Sequence, residues 1–419
     1  MGLKIGIVGA GGFSNGFAQL FKTHPLVEKV AIAELIPERR AEYAKRHGIT
    51  EEYESLDEML KSDADCVAIF TQRHLHGPMV IKALKAGKHV YSAVPVATEV
   101  EEIHEIVELV NRTRLIYMVG ETCYYWPCAM FCREMYKSGR MGDFVYGEAQ
   151  YYHDMKRFYL PFQRSGGENW KMVAGLPPMH YPTHSTGMIL SALEDAYAVK
   201  VSCMGYRDNH SDGIFGEGKN YWDNPYSNET AIMKLSNGGI CRINEYRRIG
   251  WERPSSYISG MYGTRGGYEN SSMQHIWQED PEGGKPVLTD VSDRLNTVEY
   301  VRDSKREGFS MEKNALNYKA YHSTFSAIQN FSRLPQNDTY LKLSTGHSGS
   351  HPFLVDDFVK AVAWYKLPPN NIWDAARYNI PGLIAHKSAM KDGALMEVPD
   401  FGGIPGGWTM LEPDKTETV

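Results

Sequence analysis

Two histidines, His180 and His184, stand four residues apart with Tyr181 and Pro182 between them. Such a pair could ligate a metal, move protons, or pack in a core. Histidines at this spacing share a metal only when both lie on one helical face. Pro182 opposes that arrangement, because proline favours the first helical turn and holds the preceding residue extended. The spacing therefore predicts a helix starting near Pro182, with His184 in its first turn and His180 outside it. No third ligand follows nearby, so a metal is not expected. A helix N-terminus lowers the pKa of a histidine placed there, leaving a neutral imidazole able to accept a proton. Tyr181 adds a hydroxyl that can donate or accept. His184 and Tyr181 are therefore the candidate acid/base groups. His180 stays open between substrate contact and structural support. Lys171, beside Trp170, stays open between substrate contact and a solvated surface position.

A second group of residues suits a nucleotide. Gly9, Gly11, Gly12, Phe13 and Ser14 follow the strand-like run "LKIGIV" and open an amphipathic stretch. The first glycine permits a tight turn, and the second lets the backbone approach a pyrophosphate seated on the helix N-terminus. Ser14 is the small residue wanted at the third position. Glu34 ends the second strand at the distance expected for an acid on the adenosine ribose. A carboxylate there accepts the 2′-hydroxyl and repels a 2′-phosphate, so NAD rather than NADP is the expected cofactor. Arg39, Thr71, His74, His76, Val94 and Pro95 complete the expected cofactor contacts, with His76 alternatively only opening a helix.

These residues need a scaffold. The first 120 residues alternate buried strands with helices, the latter expected at 37–47, 78–86 and 99–111, which implies a doubly wound parallel sheet. From about Gly142 the pattern becomes strands joined by hairpins, with Asn237-Gly238 between two strand-like runs. The expected fold is α/β: an N-terminal Rossmann parallel sheet, then a C-terminal α/β domain with a large open, mainly antiparallel sheet. Boundaries are expected at 1–125 for the NAD-binding domain and 126–395 for a substrate and oligomerisation domain. Residues 396–419 should form a wrapping tail, and 280–336 an insertion or lid.

At 419 residues, with 42% hydrophobic and 23% charged side chains, the composition is that of a globular protein. A net charge of −6 gives no footprint for nucleic acid, and no apolar run is long enough to span a membrane. The six cysteines show no zinc or redox spacing, so reduced buried thiols and a cytoplasmic location are expected. Twenty-six tyrosines suit either a sugar's apolar faces or a subunit interface. An open sheet rich in tyrosine points to a homo-oligomer.

The Rossmann strand, "TQRHLHGPMVIKALKAGKHV" and the second α/β domain resemble the Gfo/Idh/MocA oxidoreductases. Ordinary dehydrogenases of that family carry a proton-transferring lysine after "GKHV", and an aspartate four residues before the histidine. Here Val94 and His180 occupy those places. "GETCYY", "GEAQYYHDM", "YPTH", "GHSG", "DAARY" and "VPDFGGIPGGW" follow the order seen in glycoside hydrolase family 109, the NAD-dependent retaining glycosidases. That resemblance implies Glu121, Tyr151, Tyr181 and His184 as site residues and a carbohydrate substrate. It implies glycoside cleavage by transient oxidation at sugar C3, elimination and hydration. A plain NAD-dependent sugar or cyclitol dehydrogenase is the alternative.

Overall fold

Leu3–Val8 (β1) ends in four consecutive buried residues, the pattern of a central strand covered on both faces. It pairs in parallel with Val27–Ala33 (β2), which carries Glu51–Tyr53 (β3) on its far side. On β1's other edge lie Cys66–Ile69 (β4), His89–Ser92 (β5) and Tyr117–Val119 (β6). The order β3-β2-β1-β4-β5-β6 reverses between β1 and β4, and such a switch point opens a ligand crevice at the strands' C-terminal ends. Asn15–Thr23 (α1), Pro37–His47 (α2), Leu56–Leu60 (α3), His76–Lys85 (α4) and Val100–Thr113 (α5) connect these strands. The helix expected at 78–86 begins two residues earlier. Pro78 is tolerated there because first-turn N–H groups have no intrahelical acceptor.

The computed structural model describes residues 2–193, 196–251, 255–271, 274–280, 285–296, 325–342 and 347–412. After Pro127–Lys137 (α6), the second sheet opens with Phe144–Tyr152 (β7). Its other strands are Ala198–Arg207 (β8), Tyr226–Leu235 (β9), Ile240–Tyr246 (β10), Ser256–Gly263 (β11), Gly266–Ser271 (β12), Gln274–Glu279 (β13), Val287–Asp290 (β14) and Met396–Glu397 (β15). They run in the order β14-β13-β12-β11-β7-β10-β9-β8-β15. All these pairings are antiparallel except β7 with β10. The Asn237-Gly238 turn joins β9 to β10 as expected, with Gly238 at φ 90°.

Tyr159–Gly166 (α7), Trp170–Ala174 (α8) and Thr183–Leu193 (α9) follow β7. Beyond Ser292–Leu295 (α10) come Asp338–Lys342 (α11), Ser350–Trp364 (α12) and Ile372–Ala389 (α13). Every residue of α9 is buried, because the helix runs between the second sheet, α6 and α13. Late as it is in the chain, α12 packs Phe353, Leu354 and Phe358 into one core with Ile5, Phe17 and Tyr91 of the first domain. Of the expected lid, β14 extends the sheet edge and α10 packs against α6 and β13, while 281–284 and 297–324 fall outside the described residues. Near the C-terminus, Arg114 lies 3.9 Å over the Trp408 ring and donates to the Gly407 carbonyl. Among the described residues no helix is long and apolar enough to cross a membrane.

A buried charged network joins α12 to Tyr125, which lies between β6 and α6. Arg333 donates to Asp356 at 2.9 Å and Asp357 at 2.8 Å, and its second nitrogen donates to the Tyr125 hydroxyl at 3.1 Å. Lys360 adds a contact to Asp356 at 2.8 Å. Removing the central cation would leave two buried carboxylates without their main countercharge. Arg333→Met should therefore cost about 3–5 kcal/mol of stability in denaturant unfolding. A loss under about 1 kcal/mol would show that the network is solvated.

Candidate active site

The glycine loop is shaped by its neighbours. At φ 99°, Gly9 has no room for a side chain, since a Cβ would stand 2.9 Å from the Phe70 carbonyl oxygen. Gly11 and Gly12 are exposed, and no atom lies within 4 Å of the position of their missing Cβ. Ser14 is fully buried and donates to the Gly11 carbonyl at 2.9 Å, which fixes the loop against α1. Glu34, just past β2, accepts from the Ala10 N–H at 2.9 Å and the Ile36 N–H at 3.0 Å. A carboxylate is thus held beside an open glycine turn at the start of a helix, an arrangement that fits the ribose and pyrophosphate of a dinucleotide. Phe13 flanks the loop, its ring 5.7 Å from that of His347.

The other expected cofactor contacts separate into two groups. Val94 is buried in the apolar core and offers no titratable group beside Pro95. His76 is buried between two main-chain carbonyls, with Nδ1 2.8 Å from that of Pro95 and Nε2 3.1 Å from that of Thr71. It braces the loops after β4 and β5 rather than facing the crevice. His74 is half-buried and turned to the second domain, with Trp222 edge-on at 6.1 Å. Arg39 donates to the Arg164 carbonyl, and Gln72 to that of Ser165 at 2.6 Å, so α7 crosses onto the first domain here.

Around "YPTH" the structure brings four of the expected residues together. Pro182 precedes α9, and His184 occupies its first turn, as the spacing predicted. Glu121 follows β6, is fully buried, and accepts from His184 Nδ1 at 2.7 Å and from the Cys123 N–H at 2.8 Å. Gly187, one turn along α9, allows this approach, since a Cβ there would meet Glu121 Cγ at 3.3 Å. Burial raises the Glu121 pKa, but the charge and hydrogen bond of His184, with the hydrogen bonds from Thr183 and the Cys123 N–H, together outweigh it and hold the carboxylate below its ordinary range. With an ionised carboxylate accepting, Nδ1 carries the hydrogen and Nε2 is left for the Tyr181 hydroxyl, 3.3 Å away. Tyr151, on β7, packs its ring edge against His184 at 5.0 Å and stacks on Tyr181 at 5.8 Å. Burial pushes both phenols above their ordinary range, which keeps them protonated donors.

Parallel pairing sets Tyr151 beside Glu245 of β10. Ser185 and Arg247 both bond Glu245, and the Arg247 guanidinium lies 4.8 Å over the Tyr151 ring. Arg73, just after β4, lies 4.3 Å over the Tyr181 ring from the other domain. His153 stacks on Tyr151 at 4.9 Å, and its pKa is driven down to about 2, first by burial and then by Arg247 and Arg73. His347 sits 6.1 Å from His184, on consecutive left-handed residues His347, Ser348 and Gly349. Of these, Arg73, His153 and His347 lie in stretches that carry the family resemblance, "TQRHLHG", "GEAQYYHDM" and "GHSG". The rest arrive by tertiary contact.

The two histidines of the opening motif point to different places. His180 meets His386 edge-on at 5.1 Å, and His386 in turn bonds Glu229 at 2.7 Å. Lys171 is exposed on α8, with its ammonium 5.9 Å from the Trp170 ring. Glu121, Cys123 and His184 bring potential ligand atoms within 4.8 Å of one another. The His184–Glu121 hydrogen bond accounts for that closeness, and burial lifts the Cys123 thiol well above its ordinary pKa.

Residues 3–121 match the model of the Gfo/Idh/MocA family, described as an oxidoreductase family with an NAD-binding Rossmann fold. That part of the chain is similar to the NAD-binding Rossmann domain of this family. Across 432 aligned residues the chain is 22% identical to a glycosyl hydrolase family 109 protein of Streptomyces filamentosus, covering 95% of this chain and 77% of that one. It is 23% identical over 375 residues to an alpha-N-acetylgalactosaminidase of Bacteroides fragilis, covering 86% and 80% respectively. A levoglucosan dehydrogenase structure in complex with NADH and levoglucosan shares the fold. Its TM-score is 0.70 at 18% identity, over 96% of this chain and 100% of that one.

All six cysteines are free and buried, with Cys128 raised to about 11 and Cys241 to about 12 by desolvation. The native protein should accordingly leave all six thiols unmodified by a thiol reagent at pH 8, and unfolding should release all six. EDTA should change neither that count nor the melting temperature. Thiols that become reactive on chelation would establish a metal at Glu121, Cys123 and His184.

Proposed function

We propose that this protein cleaves a carbohydrate glycoside through transient oxidation at sugar C3, with NAD unchanged over the cycle. The observation that carries this reading is the Glu121–His184–Tyr181 chain of acid/base groups, assembled where Val94 supplies none. The family 109 names of the relatives support it. Gly9, Gly11, Gly12 and Ser14 would hold the pyrophosphate, and Glu34 the adenosine ribose. Bound NAD supplies a site that accepts hydride from the sugar and returns it.

The protein's part is proton movement and positioning. When C3–OH becomes a ketone, its proton passes to the Tyr181–His184 pair, and the adjacent Glu121 stabilises the imidazolium formed. The ketone acidifies the hydrogen at C2. A base of the same cluster removes it, the bond from C1 to its oxygen substituent breaks, and the leaving oxygen takes a proton. Water then adds its hydroxyl at C1 while C2 regains a proton, and reduction at C3 restores the alcohol. Tyr151 and Tyr181, held protonated by burial, can donate hydrogen bonds to oxyanions that develop along this route. His74, His180 and Trp222 would line the sugar's far side.

Cofactor choice follows from Glu34. NAD should bind at least about tenfold more tightly than NADP, because the carboxylate would face the 2′-phosphate. Titration of both cofactors checks this, and Glu34→Gln should narrow the gap.

The cycle itself is read with isotopes. Sugar released in deuterated water should carry deuterium at C2, and a 3-O-methyl glycoside should be inert. His184→Ala should lower turnover by about 10²–10⁴-fold while NAD still binds. Release without solvent hydrogen at C2, or normal cleavage of the methyl ether, would sink the elimination route. NADH accumulating in step with a keto-sugar would establish a plain dehydrogenase.

A further inference from the structure

The cluster around Tyr181 contains two guanidinium groups in different states. Arg247 is buried, and its donors are engaged by Glu245 at 2.8 Å and by the carbonyls of Pro178 and Tyr246, each at 3.2 Å. Arg73 is only half-buried and has aromatic rings as its close neighbours. Its guanidinium carbon lies 4.3 Å from the Tyr181 ring centroid and 5.8 Å from that of Phe162 on α7. Among the described residues its guanidinium forms no hydrogen bond and no ion pair. The carboxylates nearby are already committed. Glu121 is held by His184 and the Cys123 N–H, and Glu245 by Ser185 and Arg247. The cleft thus presents a cation whose forked donors lack acceptors, beside the hydroxyl assigned to proton transfer.

A partly desolvated charge without a partner is costly, and a planar fork is matched best by a carboxylate taking two hydrogen bonds. We infer that Arg73 is a specificity residue for an acidic sugar, and that the unit bound at this site is a hexuronic acid whose carboxylate pairs with its guanidinium. This rests on reading the cleft as a carbohydrate site, and it names the class of carbohydrate. The aromatic faces hold the guanidinium plane by cation–π contact and leave its N–H edge to the ligand. A lysine would keep the charge and lose the fork.

Binding rather than turnover separates this inference from the cleavage reading. NAD-loaded protein is titrated calorimetrically with free glucuronate, galacturonate and mannuronate. Each is compared with its neutral hexose and with the corresponding hexose 6-phosphate. At least one uronate should bind about tenfold or more tightly than both counterparts. In Arg73→Met that advantage should fall below about threefold, with Arg73→Lys intermediate and with NAD affinity and melting temperature close to wild type. No uronate preference, a stronger preference for the phosphate, or a preference that survives Arg73→Met overturns the proposal. So does a loss of NAD affinity in Arg73→Met as large as the loss of uronate affinity, since the arginine would then serve the cofactor. Uronate binding through Arg73 without cleavage of any uronide would leave this inference standing and overturn the cleavage reading alone.

Discussion

Glu121 is a carboxylate with no exposed surface, and His184 is what makes its burial tolerable. The acid belongs to the end of β6 in the first sheet, whereas the imidazole belongs to α9, which packs on the second. Desolvation of an unpaired carboxylate would cost more than a small domain interface returns, so this contact fixes how the two halves meet. Neighbouring features conform to it. Gly187 leaves the space that Glu121 occupies, and Pro182 starts the helix at the residue that presents His184. Asn379 of α13 makes a second fastening, accepting from the Val96 N–H at 2.7 Å beside Pro95.

The same geometry divides labour between domains. Groups suited to a dinucleotide lie on loops after β1 and β2, whereas Tyr151, Tyr181 and His184 come from β7, the turn before α9 and α9 itself. Arg73 and His74 reach from the first domain toward Tyr181 and Trp222 of the second. Val94, sealed into the apolar core, leaves the first domain without an acid/base group at that point. Registry matters here. A one-residue slip of β7 would turn Tyr151 away from His184 and expose Tyr152 in its place.

Much of this was legible in the chain because it depended on local rules. The glycine turn, the acid after the second strand, the helix Pro37–His47, the Asn237-Gly238 hairpin and the helix start at Pro182 each have a short-range signature. The parallel pairing of β7 with β10 has none, since neither strand's sequence names the direction of its partner. Nor could the sequence reveal where α12 docks. Nearly all its residues are buried, so periodicity names no single face, and its partners in α1 and β5 lie more than 250 residues away. Arg73 and Arg247 were missed for a related reason. An arginine's sequence context does not say which ring it will cover. Glu121 is among the site residues that the resemblance implies. In the structure it is completely buried and accepts from His184 Nδ1.

The contacts of α7 with the first domain have one more property. Arg39 and Gln72 reach across to main-chain carbonyls of residues 164 and 165, not to their side chains. Any residue at those two positions presents the same oxygen. The clasp is therefore indifferent to mutation on one of its two sides, and the outward surface of α7, where Leu160 is 54% exposed, can drift freely in evolution. Related chains could diverge in this helix, and in whatever it presents to a ligand, while keeping the same mechanical connection over the crevice.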